Sequence, residues 1–160
     1  GSMDAIEDAR VLDLFAGTGA LGIEALSRGA AHATFVERDA AAARVIVANL
    51  ARTHLGAPGR VTIVREDVLA WLRARARPGE PPWDLVLVDP PYAETAVLTA
   101  TLQAVGPVVA PHGLVVAKHF WRDEPPARVG LLASDRVRRF GETTLTFYRR
   151  TDAAPTTEGA

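Results

Sequence analysis

The stretch from Val11 to Gly22, which reads VLDLFAGTGALG, constrains the fold more than any other part of the chain. Its first half is apolar, as in a central parallel strand. Gly17 and Gly19 then permit a tight turn that a ligand can approach, because glycine has no side chain and adopts left-handed angles. The following residues begin a helix whose unpaired N–H groups face the same space. The stretch therefore predicts a site for a nucleotide-like cofactor.

The acidic residue Asp13 bears on which cofactor this loop binds. Gly17, Gly19 and Gly22 match the dinucleotide pattern G-x-G-x-x-G, a weak signal that loops without a ligand also meet. A carboxylate here would repel the pyrophosphate of a dinucleotide, whereas it suits the sulfonium and ammonium of S-adenosylmethionine. We therefore predict S-adenosylmethionine rather than NAD, bound by the loop residues Asp13, Phe15, Ala16, Gly17 and Gly19.

Composition and length predict a globular protein of one domain. The chain has 160 residues, of which 48% are hydrophobic. We expect one domain over residues 4–150, a remnant of a cleaved tag at residues 1–3 and a disordered tail at residues 151–160. Without an apolar run of membrane-spanning length or a visible signal peptide, we expect a cytoplasmic monomer that contacts no membrane.

Neither metal binding nor a general affinity for nucleic acid is indicated by composition. Cysteine is absent, and the histidines lack the spacing of metal ligands, so no metal is expected. The net charge of −1 gives no global case for nucleic acid. Lys118 is the only lysine among 18 basic residues. The arginine excess fits phosphate recognition, but a GC-rich genome explains it better because alanine is abundant as well.

Strand and helix patterns alternate along most of the chain. Strands are predicted at residues 11–14, 33–36, 61–64, 84–89 and 113–118, and helices at residues 21–28, 40–54, 68–75 and 95–105. This alternation predicts a parallel sheet with right-handed crossovers. Residues 136–140 and 143–148 are instead a hairpin with no intervening helix, so the last strands should be antiparallel. Asp39 is the predicted N-cap of the second helix.

Acidic residues follow three of the predicted strands. Ligands of open parallel sheets bind at this carboxyl edge. Glu37 comes 18 residues after Gly19, near the spacing at which an acid holds ribose hydroxyls. Asp67 can accept a hydrogen bond from the adenine amine while the Val68 backbone contacts the ring edge, although Asp67 also lies where a helix N-cap belongs.

The sequence Asp89-Pro90-Pro91-Tyr92 is the most specific motif in the chain. Its prolines predict a stiff turn directly after a buried strand. The turn presents two acceptors, the Asp89 carboxylate and the Pro90 carbonyl, beside the aromatic face of Tyr92. Acceptors that bind the hydrogens of an exocyclic amine favour a more tetrahedral nitrogen and free its lone pair. The motif therefore predicts methyl transfer to a nucleobase amine, with most of the rate enhancement coming from positioning. A rigid turn with a packing tyrosine is the alternative.

Together, these motifs resemble the bacterial RsmD family, which methylates the exocyclic N2 amine of a guanine in small-subunit (16S) ribosomal RNA. The resemblance covers about residues 10–150 and is carried by VLDLFAG, LGIEALSRG, VERD, DLVLVDPPY and FGET, which begin at residues 11, 21, 36, 84 and 140. It implies an α/β, Rossmann-like, seven-stranded methyltransferase fold, mostly parallel with a C-terminal antiparallel hairpin. It also implies an S-adenosylmethionine site at the glycine loop, Glu37, Arg38, Asp67 and Asp89. The catalytic turn then comprises Asp89, Pro90, Pro91 and Tyr92, of which Asp89, Pro90 and Tyr92 contact the target base.

The resemblance further implies ribosomal RNA, or the small ribosomal subunit, as the partner. The family carries an N-terminal extension with a basic segment, whereas the first strand here begins close to Gly1, so we expect weakened RNA methylation. RNA contact requires an unpaired or flipped-out base. Lys118 and Phe120 are expected on the substrate side. Other candidates for RNA contact, which fit a solvated surface equally well, are Arg73, Arg75, Arg77, Arg136, Arg138 and Arg139.

Other functions explain less of the sequence. DNA adenine-N6 methyltransferases share the proline turn but usually need a recognition region, and only 21 residues separate Asp67 from Asp89. Protein amide methyltransferases more often have asparagine at the position of Asp89. An NAD-dependent oxidoreductase leaves Asp13 and the proline turn unexplained. The near-neutral charge argues against an RNA-binding scaffold without activity.

Overall fold

The computed structural model describes residues 6–75 and 81–151. The strands are β1 (Arg10–Leu14), β2 (His32–Val36), β3 (Val61–Val64), β4 (Trp83–Val88), β5 (Val109–Phe120), β6 (Arg128–Val129), β7 (Leu132–Phe140) and β8 (Thr143–Arg150). The α-helices are α1 (Ala20–Ser27), α2 (Ala40–Thr53), α3 (Val68–Arg75) and α4 (Thr95–Val105), and a 3-10 turn spans Gly106–Val108. The proposed tag remnant, Arg77 and residues 152–160 of the proposed tail lie outside the described residues.

One mixed sheet of eight strands organises the described part of the chain, in the order β3-β2-β1-β4-β5-β8-β7-β6. Strands β1 to β5 pair in parallel, and β8 pairs antiparallel with both β5 and β7. The predicted α/β methyltransferase fold with an antiparallel end is therefore confirmed. The two-residue strand β6 is an addition to the expected seven strands, and its shortness explains why no sequence period predicts it.

The core is divided by the sheet into two layers. Alternate residues of β1 enter different layers because successive side chains point to opposite faces. Leu12 packs with α3 and α4, whereas Val11 packs with α1 and α2. Both residues are fully buried, as expected for a central parallel strand.

Local interactions determine where several helices and strands begin and end, and some of these ends differ from the sequence prediction. Asp39 caps α2 as predicted, accepting a hydrogen bond from Ala42 N–H at 2.8 Å. Helix α2 ends at Thr53 because His54 adopts a left-handed conformation, with φ at 61°. Strand β5 is longer than predicted, and its pairing with β4 shifts register between Trp83 and Leu85. Thr151, placed in the expected tail, donates from its N–H to the Leu131 carbonyl at 2.8 Å.

Candidate functional site

The carboxyl ends of the parallel strands form one continuous edge. Leu14 pairs with both Val36 and Val88, and Val36 pairs with Val64. The residue after each strand is therefore level with its neighbours. Ligands bind at this edge in open α/β sheets. The structure thus brings together the ends of the glycine loop, the Glu37 segment, the Asp67 segment and the Asp89 turn.

The glycine loop uses three left-handed residues. The φ angles are 58° at Phe15, 59° at Gly17 and 81° at Gly19. Phe15 is not glycine, and such a conformation costs on the order of 1–3 kcal/mol. Hydrogen bonds from Ala16 N–H to the Val36 carbonyl at 3.1 Å and from Gly19 N–H to the Ala16 carbonyl at 2.8 Å hold the loop in place. No sequence signal predicts the left-handed Phe15.

Two glycines of the loop do different work. A Cβ built on Gly17 has no heavy atom within 4 Å, so this position opens onto free space. A Cβ on Gly22 would lie 2.4 Å from Cε1 of the fully buried Phe35. Gly17 therefore leaves room for a ligand, whereas Gly22 lets α1 pack closely against β2.

Glu37 anchors the loop from the neighbouring strand. Its Oε1 accepts a hydrogen bond from Gly17 N–H at 2.8 Å, and its Oε2 accepts one from Asp39 N–H at 3.0 Å. One carboxylate therefore links the glycine loop to the start of α2. Glu37 also lines a cavity at this edge, so a role in holding ribose hydroxyls stays a prediction.

Asp13 lies beneath the loop rather than in it. It is 1% exposed, and its Oδ2 accepts a hydrogen bond from Gly22 N–H at 2.9 Å. It does not line either of the two cavities described below. Burial raises the pKa of Asp13 to about 7, and the negative charges of Asp89 and Glu37 add to that rise. Because Asp13 lines neither cavity, the structure does not show the expected direct contact with the cations of the cofactor. Asp13 instead positions the start of α1.

The raised pKa of Asp13 predicts how stability varies with pH. Between about pH 4 and pH 7 the unfolded chain loses this proton while the folded chain keeps it, so the contribution of Asp13 to the free energy of unfolding falls as pH rises and levels off above about pH 7. A shift of about three units corresponds to about 4 kcal/mol. Asp13→Asn should flatten this part of the profile, as measured by urea unfolding at several pH values. The exposed Glu24→Gln is the control, and equal slopes for Asp13→Asn and the parent chain would contradict the prediction.

Asp67 combines the two roles that its sequence position allows. Its Oδ2 accepts a hydrogen bond from Ala70 N–H at 3.1 Å, which caps α3. Its Oδ1 lies 3.8 Å from Nη1 of Arg38, and both side chains are largely exposed. Such a surface pair contributes little to stability, but both of its residues line the same cavity as Val68. The contact with the adenine amine stays a prediction.

The first cavity, here called the loop cavity, has a volume of about 360 Å³. Seven of the residues predicted to bind the cofactor line it: Phe15, Gly17, Glu37, Arg38, Asp67, Val68 and Asp89. Asp13, Ala16 and Gly19 do not line it. Glu66 and Glu94, which the sequence analysis missed, do line it. Five carboxylates against the one guanidinium of Arg38 make the lining strongly acidic.

The second cavity, here called the turn cavity, has a volume of about 290 Å³. Its lining includes all four residues of the predicted catalytic turn, Asp89, Pro90, Pro91 and Tyr92. Lys118 and Phe120 also line it, as expected for the substrate side. Glu142 and Thr143 come from the FGET motif, although no role was assigned to them from the sequence. His119, another unassigned residue, lines the cavity and contacts Thr146 Oγ1 at 2.7 Å.

Asp89 lies between the two cavities and faces Lys118. The Lys118 ammonium is 3.8 Å from Oδ2 of Asp89, because Lys118 follows Ala117, which pairs with Val88. Burial raises the pKa of Asp89 above its ordinary value of 3.8, and the charge of Lys118 opposes that rise. Both side chains of the pair line the turn cavity.

Tyr92 offers an open aromatic face at the rim of the turn cavity. It is 74% exposed, and its ring centroid lies 5.7 Å from that of Phe120 in an edge-on arrangement. The turn behind it is closed by a hydrogen bond from Glu94 N–H to the Pro91 carbonyl at 3.2 Å, and Ala93 is left-handed, with φ at 69°. An exposed, fixed ring of this kind can stack on a planar base.

The predicted RNA contacts are divided by the fold. Arg73 and Arg75 lie in the last turn of α3, about 8 Å and about 10 Å along the helix axis from Val68, which lines the loop cavity. Arg136 lies over the Phe147 ring, Arg138 over Phe140 and Arg139 over Trp121. Of the RNA-contact candidates that the structure describes, the arginines of β7 belong to the hairpin that borders the turn cavity, whereas Arg73 and Arg75 do not.

Within the described residues no group of three or more potential ligands is arranged to hold a metal ion. Among the helices described, none is both long enough and apolar enough to cross a membrane.

Comparison with known proteins shows what this site resembles. "Putative rRNA methyltransferase YlbH" of Bacillus subtilis is 37% identical over 146 residues, which cover 90% of this chain and 77% of that protein. "Ribosomal RNA small subunit methyltransferase D" of Escherichia coli is 41% identical over 87 residues, which cover 54% of this chain and only 40% of that protein. Among solved structures, "Putative methyltransferase yhhF from Escherichia coli" has a TM-score of 0.78 and 31% identity, covering 91% of this chain and 78% of that one.

A family model supplies the broadest match. The model described as "Conserved hypothetical protein 95" aligns with residues 2–149, which include both cavities. Because this match covers nearly the whole chain, the chain belongs to that family, the RsmD family of ribosomal RNA methyltransferases that its motifs indicate.

Proposed function

We propose that the chain transfers a methyl group from S-adenosylmethionine to the exocyclic N2 amine of a guanine in small-subunit ribosomal RNA. The observation that carries this proposal is the junction of the two cavities. Asp89, Pro91 and Glu94 line both the loop cavity and the turn cavity. A methyl donor in the first cavity and an acceptor base in the second would meet at the Asp89 turn.

The loop cavity fits S-adenosylmethionine better than a dinucleotide. The space above Gly17 admits a ligand against the main chain. The acidic lining favours a ligand that carries a sulfonium and an ammonium and disfavours a pyrophosphate. In the proposed arrangement Glu37 holds the ribose, while Asp67 and Val68 hold the adenine. When bound, the cofactor supplies a methyl group activated by the positive sulfonium.

The turn cavity provides what an amine acceptor needs. The Asp89 carboxylate and the Pro90 carbonyl accept the two hydrogens of the amine, which leaves its lone pair directed away from the base plane. Tyr92 stacks on the base and fixes its orientation. The Lys118 ammonium lies 3.8 Å from Oδ2 of Asp89, and its charge opposes the rise in the pKa of Asp89 that burial causes. The rate enhancement then comes mainly from orientation.

The substrate assignment draws on the relatives. Both curated relatives carry the name of ribosomal RNA methyltransferases, and one name specifies the small subunit. The guanine N2 target follows from the resemblance to the RsmD family. We further propose a cytoplasmic monomer whose methyltransferase domain spans residues 4–150.

Calorimetric titration and a methyl-transfer assay test the proposal together. We expect the chain to bind S-adenosylhomocysteine but not NAD. With labelled S-adenosylmethionine and undermethylated small ribosomal subunits, we expect label in 16S rRNA as N2-methylguanine, identified by nucleoside mass spectrometry. Binding of NAD alone would overturn the cofactor assignment. Label in adenine, or in DNA instead of RNA, would overturn the target assignment while leaving the cofactor assignment intact.

A further inference from the structure

Two arginines and a tryptophan form a cluster beside the turn cavity. The guanidinium of Arg139 lies over the Trp121 ring at 4.0 Å, and that of Arg122 lies over the same ring at 4.8 Å. Both arginines are exposed, whereas Trp121 is half-buried. This cluster of Trp121, Arg122 and Arg139 is called the arginine clamp below.

The clamp is held in place by the tip of the β7–β8 hairpin. The backbone N–H of Trp121 donates to the Glu142 carbonyl at 2.9 Å, which ties the turn after β5 to the hairpin tip. Arg139 Nε–H donates to the Gly141 carbonyl at 2.7 Å. The contact with the Trp121 ring and this hydrogen bond together orient the Arg139 guanidinium. The hydrogen bond uses Nε and not the two Nη groups. Arg139 is therefore positioned before any ligand arrives.

A continuous row of aromatic rings connects the clamp with the target site. The Trp121 ring centroid lies 6.0 Å from that of Phe120, and Phe120 lies 5.7 Å from Tyr92. Phe120 and Tyr92 line the turn cavity, and so does Glu142, to whose carbonyl Trp121 is hydrogen-bonded. An RNA strand that inserts one base beside Tyr92 would therefore bring its neighbouring nucleotides next to the clamp.

The charge of the clamp identifies what it binds. Two guanidinium groups over one ring repel each other, and an anion between or beside them offsets that cost. A stacked guanidinium keeps its N–H groups in its own plane, where they can bind phosphate oxygens. Because the whole chain carries a net charge of −1, affinity for RNA has to come from local clusters of this kind.

We propose that the arginine clamp binds the RNA backbone phosphate next to the target nucleotide, with Arg122 and Arg139 as phosphate ligands and Trp121 as their positioning residue. This inference rests on the proposed function, since the clamp is defined relative to a target base in the turn cavity. It assigns the clamp to single-stranded RNA that flanks the flipped base.

The test measures RNA binding and methyl transfer for Arg139→Gln and Arg122→Gln. For labelled, undermethylated 16S rRNA, with S-adenosylhomocysteine present, we expect the Kd to rise about 5- to 10-fold. The slope of log Kd against log salt should fall by about 0.7 for each lost phosphate contact. In methyl transfer, KM for the RNA should rise while kcat and the affinity for S-adenosylhomocysteine stay unchanged.

Matched variants separate phosphate binding from a general effect. Arg44→Gln removes the same charge from an exposed position on α2, on the opposite half of the sheet, and should change neither the KM nor the salt slope. Trp121→Phe retains a ring and should keep most of the affinity, whereas Trp121→Ala should weaken binding like the arginine variants. Melting temperatures identify any variant that loses its fold, and Arg122→Gln then carries the test.

Failure of the clamp and failure of the proposed function give different results. If the parent chain transfers no methyl group to small-subunit rRNA, the proposed function is wrong. If the parent chain is active but Arg122→Gln and Arg139→Gln keep its KM and its salt slope, the clamp assignment is wrong. A fall in kcat at unchanged KM would also overturn the clamp, because it would indicate a role in the chemistry.

Discussion

Asp89→Ala should lower kcat for methyl transfer to small-subunit rRNA about 100- to 1,000-fold, which is the usual effect of removing one well-placed polar group from a reacting centre. Asp89 lines both the turn cavity and the loop cavity, so its carboxylate is placed to contact the proposed acceptor base. Without it the amine hydrogens lose one of their two partners, and Lys118 loses the carboxylate 3.8 Å away. Single-turnover kinetics with saturating S-adenosylmethionine measures the effect directly.

The comparison with Asp89→Asn separates acceptor geometry from charge. The amide keeps one acceptor oxygen but no negative charge, so kcat should lie between the values for the parent chain and Asp89→Ala. Asp135→Asn is the control because Asp135 pairs with Arg149 on the antiparallel part of the sheet, away from both cavities. Asp135→Asn should leave kcat unchanged, and in both Asp89 variants the affinity for S-adenosylhomocysteine should change far less than kcat. If Asp89→Ala retained full kcat, the turn would be structural and the proposed chemistry would be wrong.

The parts of the site that lie in one short segment could be predicted from the sequence. The Asp89 turn is such a case, since two prolines after an apolar run fix both its shape and its place at the strand end. The positions of Glu37 and Asp67 were also predictable, because the edge of a parallel sheet collects the residues that follow its strands. Helix and strand periods predicted the fold class for the same reason: they are local properties of the chain.

The remaining features depend on contacts between distant segments. Asp13 and Gly22 are nine residues apart, and their hydrogen bond forms only when α1 packs on the sheet. The sequence alone therefore could not show whether Asp13 is buried beneath the loop or exposed in it. The arginine clamp joins Trp121 to Arg139 through the register of β7 with β8 and the bend after β5. Arg139 was a candidate for its charge alone, and Trp121 had no sequence signal at all.

A matched pair of substitutions in the glycine loop should separate folding from cofactor binding. Gly22→Ala places a methyl group 2.4 Å from Phe35 Cε1 and 3.0 Å from Asp13 Oδ2, inside a closely packed region. Overpacking of this kind costs about 1–3 kcal/mol, so the melting temperature should fall by about 3–10 °C for a domain of this size. Gly17→Ala meets no atom within 4 Å and adds only the strain of a left-handed alanine, about 1 kcal/mol.

The effects on ligand binding should be the reverse of the effects on stability. Gly17 lines the loop cavity, so the methyl group of Gly17→Ala would take up space that the ligand needs. The Kd for S-adenosylhomocysteine should therefore rise about 10- to 100-fold. Gly22→Ala, measured well below its melting temperature, should lose less affinity because it does not line the cavity. Phe35→Leu removes the ring atoms that the methyl group of Gly22→Ala meets. The double variant Gly22→Ala/Phe35→Leu should therefore lose less stability than the two single variants lose together. Additive losses would show that the crowding is relieved elsewhere. Unchanged ligand affinity in Gly17→Ala would place the cofactor outside the loop cavity.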